Sequence, residues 1–224
     1  MNVHSVFGGK SVAAVTGDKR ERILQAASVL IVQNGLQCPM SKIADLAGVA
    51  AGTIYLYFRS KDEMILGVYE RLRDQAAAAL IRHHGPDVPP EARIRAYIDD
   101  YITFIWSDPD RAVLFEYLSN VPLIPTQGLR QAFSPVTDFT NAIIEGAMNA
   151  GLLRGTSIED MGGFIGGGIR NTLKWRRATG AELTAADRER IAEMCWNAIA
   201  RPDAPAGRIV EPLRRRVGGI SPRS

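Results

Sequence analysis

The chain has 224 residues and 24.4 kDa, 46% of them hydrophobic and 23% charged, which is enough for one good core or for a small domain beside a medium one. A net charge of +3 and a pI near 9.0 suit a nucleic-acid partner without requiring one. Cys38 and Cys195 lie too far apart to suggest a disulfide framework or a zinc knuckle, and they read as reduced thiols of a cytoplasmic protein. No uncharged run is apolar enough to span a membrane, since 23–41 is interrupted by Gln25, Gln33, Asn34, Gln37 and Pro39. No Ser/His/Asp order, HExxH or Cys/His pair offers a catalytic constellation, and no cofactor or metal set is present, so an enzyme is not expected.

In chain order, residues 1–17 mix Gly, Ser, Val and His without period and predict a disordered arm whose short apolar patch is too weak for a secretory signal. Gly9-Lys10-Ser11 resembles the end of a phosphate loop, but His4 stands where that motif needs glycine. A first helix is predicted over 18–34, burying Ile23, Ala27, Leu30 and Ile31 and ending at Gly35. A second, starting at Pro39, places Met40, Ile43, Ala44 and Ala47 on one face. Gly48 breaks it, because glycine takes the positive φ that a sharp helix-to-helix turn needs. The segment 49–58 then has the length of a helix that lies in a DNA major groove. Between Asp18 and Lys61 six cations face three anions, so this part is locally basic.

The run Ala47, Gly48, Val49, Gly52, Thr53, Ile54, Tyr55, Tyr57, Phe58, Ser60 and Lys61, with Ile43-Ala44 before it, resembles the signature of the TetR family of bacterial transcriptional repressors over roughly Asp18 to Met64. The resemblance implies an all-α chain, with a three-helix DNA-binding head at 18–64 and a larger helical ligand-binding and dimerisation domain at 65–200. It implies that Tyr57 and Lys61 clamp phosphates, that Thr53 and Tyr55 lie near phosphate or base edges, and that Ala51 and Gly52 approach thymine methyls. Lys42 joins them as a basic contact, and Lys19, Arg20 and Arg22 are further phosphate candidates. Two departures stand out. Cys38-Pro39 lacks the usual hydroxyl that caps the helix and touches phosphate, a phosphate role that Ser41 can take over in part, and Ala50 replaces a capping serine, each lost cap costing about 1 kcal/mol. Ile54 and Leu56 are candidates for the core, and Phe58 is assigned to it.

Beyond the motif, a long helix to about Arg82 buries Met64, Ile65, Val68, Tyr69 and Leu72. His83-His84, being adjacent, cannot chelate one ion together. Helices follow over 91–106, 108–118 and 127–150, with Pro135 inside the last. Gly151 ends that helix and Thr156 or Ser157 caps the next, which carries Gly162, Gly163, Gly166, Gly167 and Gly168; such density implies close helix approach, at a dimer interface or beside a ligand. A last helix over 185–200 sets Ile191, Met194, Cys195 and Ile199 on one side, and 201–224, with Arg214-Arg215-Arg216, reads as a disordered basic tail. By resemblance, helices at 157–178 and 185–200 pair across a homodimer. An apolar or amphipathic effector is expected among Tyr101, Phe104, Phe115, Phe139 and Trp175, with Arg170 or Asn171 as polar handles. The predicted function is a dimeric repressor on a pseudo-palindromic operator, released by that effector; the alternative is a ligand-independent or activating DNA binder of the same fold.

Overall fold

The computed structural model describes residues 18–82, 88–120, 126–154 and 157–202. The arm with Gly9-Lys10-Ser11, the His83-His84 pair, the loop 121–125, Thr156 and the tail from 203 onward lie outside the described residues. Among the described residues there are nine α-helices and no strand: α1 (Lys19–Asn34), α2 (Met40–Ala47), α3 (Ala51–Tyr57), α4 (Lys61–Leu80), α5 (Pro90–Ser107), α6 (Pro109–Asn120), α7 (Thr126–Asn149), α8 (Ile158–Ala178) and α9 (Ala185–Ile199). None is long and apolar enough to cross a membrane.

The head forms where the apolar periodicity places it. Ile23, Ala27, Leu30 and Ile31 of α1 are buried against Ile43, Ala44 and Ala47 of α2 and Ile54 of α3. Gly48 sits at φ 64°, ψ 42°, and the turn closes with Val49 N–H donating to the Ala44 carbonyl at 3.0 Å and Gly48 N–H to that of Asp45 at 3.2 Å, a Schellman arrangement that satisfies the end of α2. Two boundaries differ from expectation. Pro39 is the N-cap of α2, at ψ 141°, so the helix begins at Met40; an extended ψ is what lets the chain enter a helix from outside. The segment expected at 49–58 is helical only over Ala51–Tyr57, because Ala50 and Phe58 are both extended.

The long helix α4 joins the head to the rest. Ser60 caps it, accepting from Glu63 N–H at 3.1 Å, while the Glu63 carboxylate accepts from Arg59 N–H at 2.6 Å. Its N-terminal half packs on α1 so tightly that a Cβ on Gly67 would lie 3.0 Å from the Leu24 side chain and 3.2 Å from the Phe58 ring. Arg71 locks the same pair of helices, donating to Glu21 Oε1 and Gln25 Oε1, each at 2.5 Å. Further along, α4 packs on α5, α6 and α7.

At the centre of the remaining helices lies α5, with Ile94, Ile98, Tyr101, Ile102 and Ile105 buried as the periodicity requires, and Tyr97 and Phe104 with them. It is flanked by α4, α7, α8 and α9. Polar ties fix α9 on it: Arg188 pairs with Asp99, and Arg95 reaches Glu193 at 2.5 Å while stacking 4.7 Å from the Trp196 ring. Ser157 caps α8, and Thr184 with Asp187 forms a capping box on α9. Hydrogen bonds to Thr184, with Arg190 and Arg176 adding to them, hold the Asp187 carboxyl down at about 2. Met194 does not share a side with Ile191, Cys195 and Ile199; those three are buried and Met194 is 62% exposed, because its phase on the helix is that of Arg190 and Ala198.

Candidate nucleic-acid interface and effector site

The α2–α3 pair presents a surface built on a buried support. Ile54 at 0% exposure and Phe58 at 2% anchor α3 from below, leaving Tyr55, Leu56 and Tyr57 outward at 58%, 82% and 36%. Leu56 is therefore not core: a seven-residue helix has one buried stripe, and Ile54 occupies it. Of the residues expected to touch DNA, Lys42, Ala51, Gly52, Tyr55 and Tyr57 are exposed and Thr53 and Lys61 half-buried, with Ser41 and Arg59 exposed among them. Neither Pro39 nor Ala50 makes a side-chain cap, so the first N–H groups of α2 and α3 have no protein hydroxyl over them. Such N–H groups are ready partners for an anion.

Not every basic residue of the head is equally available. Arg20 stacks 5.4 Å from the Phe58 ring and lies 3.9 Å from Glu70, and Arg22 donates to the Gly48 carbonyl at 3.5 Å. Both thus brace the head. Cys38 is buried beneath the surface, and burial pushes its thiol up against the opposing pull of Lys61, so it is a packing residue. Burial likewise raises Cys195 to about 11.

In the helices behind, an aromatic ladder runs from Tyr97 to Tyr101 (6.1 Å between centroids), Phe104 (6.4 Å), Phe115 (6.4 Å) and Phe133 (6.0 Å). It spans α5, α6 and α7. Arg170 of α8 enters it, donating from Nη1 to the Tyr101 hydroxyl oxygen at 2.7 Å and stacking 5.4 Å from the Phe115 ring. Tyr97 and Thr140, both buried, share a hydrogen bond of 2.9 Å, and burial drives the Tyr97 phenol above its ordinary range. Of the expected effector residues, Tyr101, Phe104, Phe115 and Arg170 come together here, and Phe139 is half-buried against the same core from α7. Asn171 and Trp175 do not join them. Both are exposed, Trp175 at 61%, on the opposite face of α8. That face also carries Phe164, 56% exposed, which sequence reasoning passed over although its spacing to Asn171 and Trp175 keeps all three in phase. Tyr97 was missed too, although it stands three residues after Ile94 and four before Tyr101, in phase with the buried stripe of α5.

The α8 glycines divide between these two faces. A Cβ on Gly162 would touch Ile144 at 3.6 Å, and one on Gly166 would meet Arg170 Nη1 at 3.0 Å; at Gly163, Gly167 and Gly168 nothing lies within 4 Å.

A family model for bacterial regulatory proteins of the tetR family matches residues 23–68, the segment that forms this surface. The HTH-type transcriptional regulator RutR of Escherichia coli K12 is 30% identical over 148 residues, covering 65% of this chain and 68% of that protein. The chain belongs to the TetR family. It is thus a DNA-binding transcriptional regulator and not an enzyme. TetR-family regulators bind DNA operators and small-molecule effectors and are typically dimers. The chain is also 27% identical over 161 residues to a fatty acid metabolism regulator protein of Bacillus subtilis, covering 71% of this chain and 75% of that protein. The solved structure of the transcriptional regulator FadR from Bacillus subtilis in complex with stearoyl-CoA has the same fold, with a TM-score of 0.66 and 24% identity over 80% of this chain and 98% of that one.

Proposed function

We propose that this TetR-family regulator is a cytoplasmic homodimeric repressor whose two heads (18–64) read a pseudo-palindromic operator and whose body (65–200) releases it on binding an amphipathic effector. The observation that carries the DNA-reading part is the outward row Tyr55, Leu56 and Tyr57 on α3, three large side chains left 58%, 82% and 36% exposed while Ile54 and Phe58 are buried beneath them. A short helix so supported fits the major groove. Tyr57 and Lys61 then bind phosphates, Lys42 adds charge, Thr53 and Tyr55 reach phosphate or base edges, and Ala51 and Gly52 allow thymine methyls close approach.

Dimerisation is assigned to α8 and α9. Phe164, Gly167, Gly168, Asn171 and Trp175 lie along one exposed face, and Met194 is exposed on α9. A surface of large apolar groups with glycines at helical spacing favours close packing against a second copy.

The effector site is assigned to the ladder of Tyr101, Phe104 and Phe115 with Phe139 and Arg170. Similarity to a fatty acid metabolism regulator, and stearoyl-CoA in the related structure, favour an acyl amphiphile. Ladder residues Tyr101 and Phe104 are almost wholly buried, so binding must part α5, α6 and α8, and a ligand preferring that parted state shifts the protein away from its DNA-bound form. Long-chain amphiphiles added to a complex with the DNA upstream of the protein's own gene are expected to release it in a fluorescence anisotropy assay. Selective binding that no amphiphile relieves would leave the alternative, a ligand-independent regulator.

A further inference from the structure

Arg170 differs from most other arginines that enter the body of this protein. Arg95 is met by Glu91 and Glu193, Arg176 by Asp187 and Arg188 by Asp99. Arg111, which also stacks on the ladder, 4.3 Å from the Phe104 ring, has Asp108 at 3.8 Å and the Phe104 carbonyl at 2.6 Å. Arg170 instead faces the Tyr101 oxygen and the Phe115 ring, and no carboxylate among the described residues lies within ion-pair distance of it. Burial keeps Tyr101 a neutral phenol despite the pull of Arg170, so it supplies a dipole and no counter-charge. The Tyr101 oxygen takes one of the five N–H donors that a guanidinium offers.

The space for this cation is also built. A Cβ at Gly166 would sit 3.0 Å from Arg170 Nη1 and 3.6 Å from the Tyr101 oxygen, so glycine one turn earlier leaves the guanidinium free to fold back into the ladder. Glycine within a helix costs about 1 kcal/mol relative to alanine. A half-buried cation without a counter-ion adds a cost of its own. An anion paired with Arg170 relieves the second cost, while the first is the standing cost of leaving room for the guanidinium.

We propose, resting on the effector-site reading above, that the effector of this regulator is a singly charged carboxylate whose head group binds Arg170 beside Tyr101 while its hydrocarbon part lies along Phe104, Phe115 and Phe133. A carboxylate matches the planar fork of a guanidinium with two parallel hydrogen bonds. A single head charge fits because Arg111, the other guanidinium on the ladder, already has its acid and its carbonyl. Specificity follows from the same geometry: an uncharged analogue of equal length leaves Arg170 as unpaired as before.

The test is calorimetric titration of the full-length protein with straight-chain carboxylates of eight to sixteen carbons and the matching primary alcohols, on wild type, Arg170→Gln and Arg170→Lys. The expected result is that the best carboxylate binds wild type at least tenfold more tightly than its alcohol, that Arg170→Gln abolishes the difference without weakening the alcohol, and that Arg170→Lys retains part of it. Selective operator binding by each variant shows that it has folded. Equal affinity for acid and alcohol in wild type, or equal weakening of both in Arg170→Gln, would overturn the charge assignment and leave the site standing. If no member of either series binds wild type, the effector site itself is misplaced, and the proposal falls with it.

Discussion

Charging the outer face of α8, with Phe164→Glu and Trp175→Glu together, is expected to yield a folded monomer whose operator affinity is lower by about a hundredfold or more. The two rings are 56% and 61% exposed in the single chain, and on α8 they lie one and two turns from Gly168, where nothing stands within 4 Å of an added Cβ. In a two-fold interface each such residue is present twice, so two substitutions introduce four carboxylates into one apolar contact. The α8 core is untouched, since Met161, Ile165, Ile169 and Leu173 point the other way. Helicity and unfolding midpoint at low concentration are therefore expected to stay near wild type. The affinity loss follows from losing the tethered second head, because each helix-turn-helix alone reads only one half-site. Analytical ultracentrifugation with an operator titration measures both. A variant that remains dimeric would move the interface elsewhere on the molecule.

Phe58→Ala is the second large effect, and it acts on stability. Phe58 is 2% exposed, wedged between α1 and α4, with the Arg20 guanidinium on one face and Gly67 near its edge. Removing a buried ring of this kind costs about 3–5 kcal/mol, a large part of the roughly 5–15 kcal/mol that holds a typical domain folded. Because Phe58 also ends α3 and precedes the Ser60 cap, the loss falls where the recognition helix is attached. The expected outcome is a markedly lower urea midpoint for the head and weakened operator binding at temperatures where the body remains helical. An unchanged midpoint would mean that α3 is held by Ile54 alone.

The parts of this structure that were legible in the sequence are those set by local chemistry. Gly48 announces a left-handed residue and has one, and the i, i+3, i+4 spacing of Ile23, Ala27, Leu30 and Ile31 gives a buried face because nothing interrupts its period. Ser157, one of the two caps expected for α8, is its cap for the same reason, whereas the Thr184–Asp187 capping box of α9 carried the same signal and was passed over. Leu56 was harder, since in two turns of helix an apolar residue beside another apolar residue has no phase to betray it; only the support from Ile54 decides. The aromatic cluster proposed as the effector site was half legible. Residue type singled out Tyr101, Phe104, Phe115 and Trp175 alike, but aromatic character does not distinguish a ring that faces the core from one that faces outward. The phase of α8 separates them, with Trp175 and Asn171 on one side and Arg170 on the other. The pairings that tie the cluster together, Arg170 with Tyr101 and Tyr97 with Thr140, join residues 69 and 43 positions apart, and no local pattern encodes them.

The most direct test of a sequence-reading, phosphate-clamping head is a salt-dependent titration of the purified protein. It compares the DNA upstream of the protein's own gene with a scrambled duplex, for wild type and Tyr57→Ala. Selective binding by wild type is expected, falling steeply with salt as phosphate contacts require, with the variant losing roughly 1–3 kcal/mol of affinity, the cost of leaving one charge-assisted contact unmade. Equal binding of both duplexes, unchanged by Tyr57→Ala, would contradict that account.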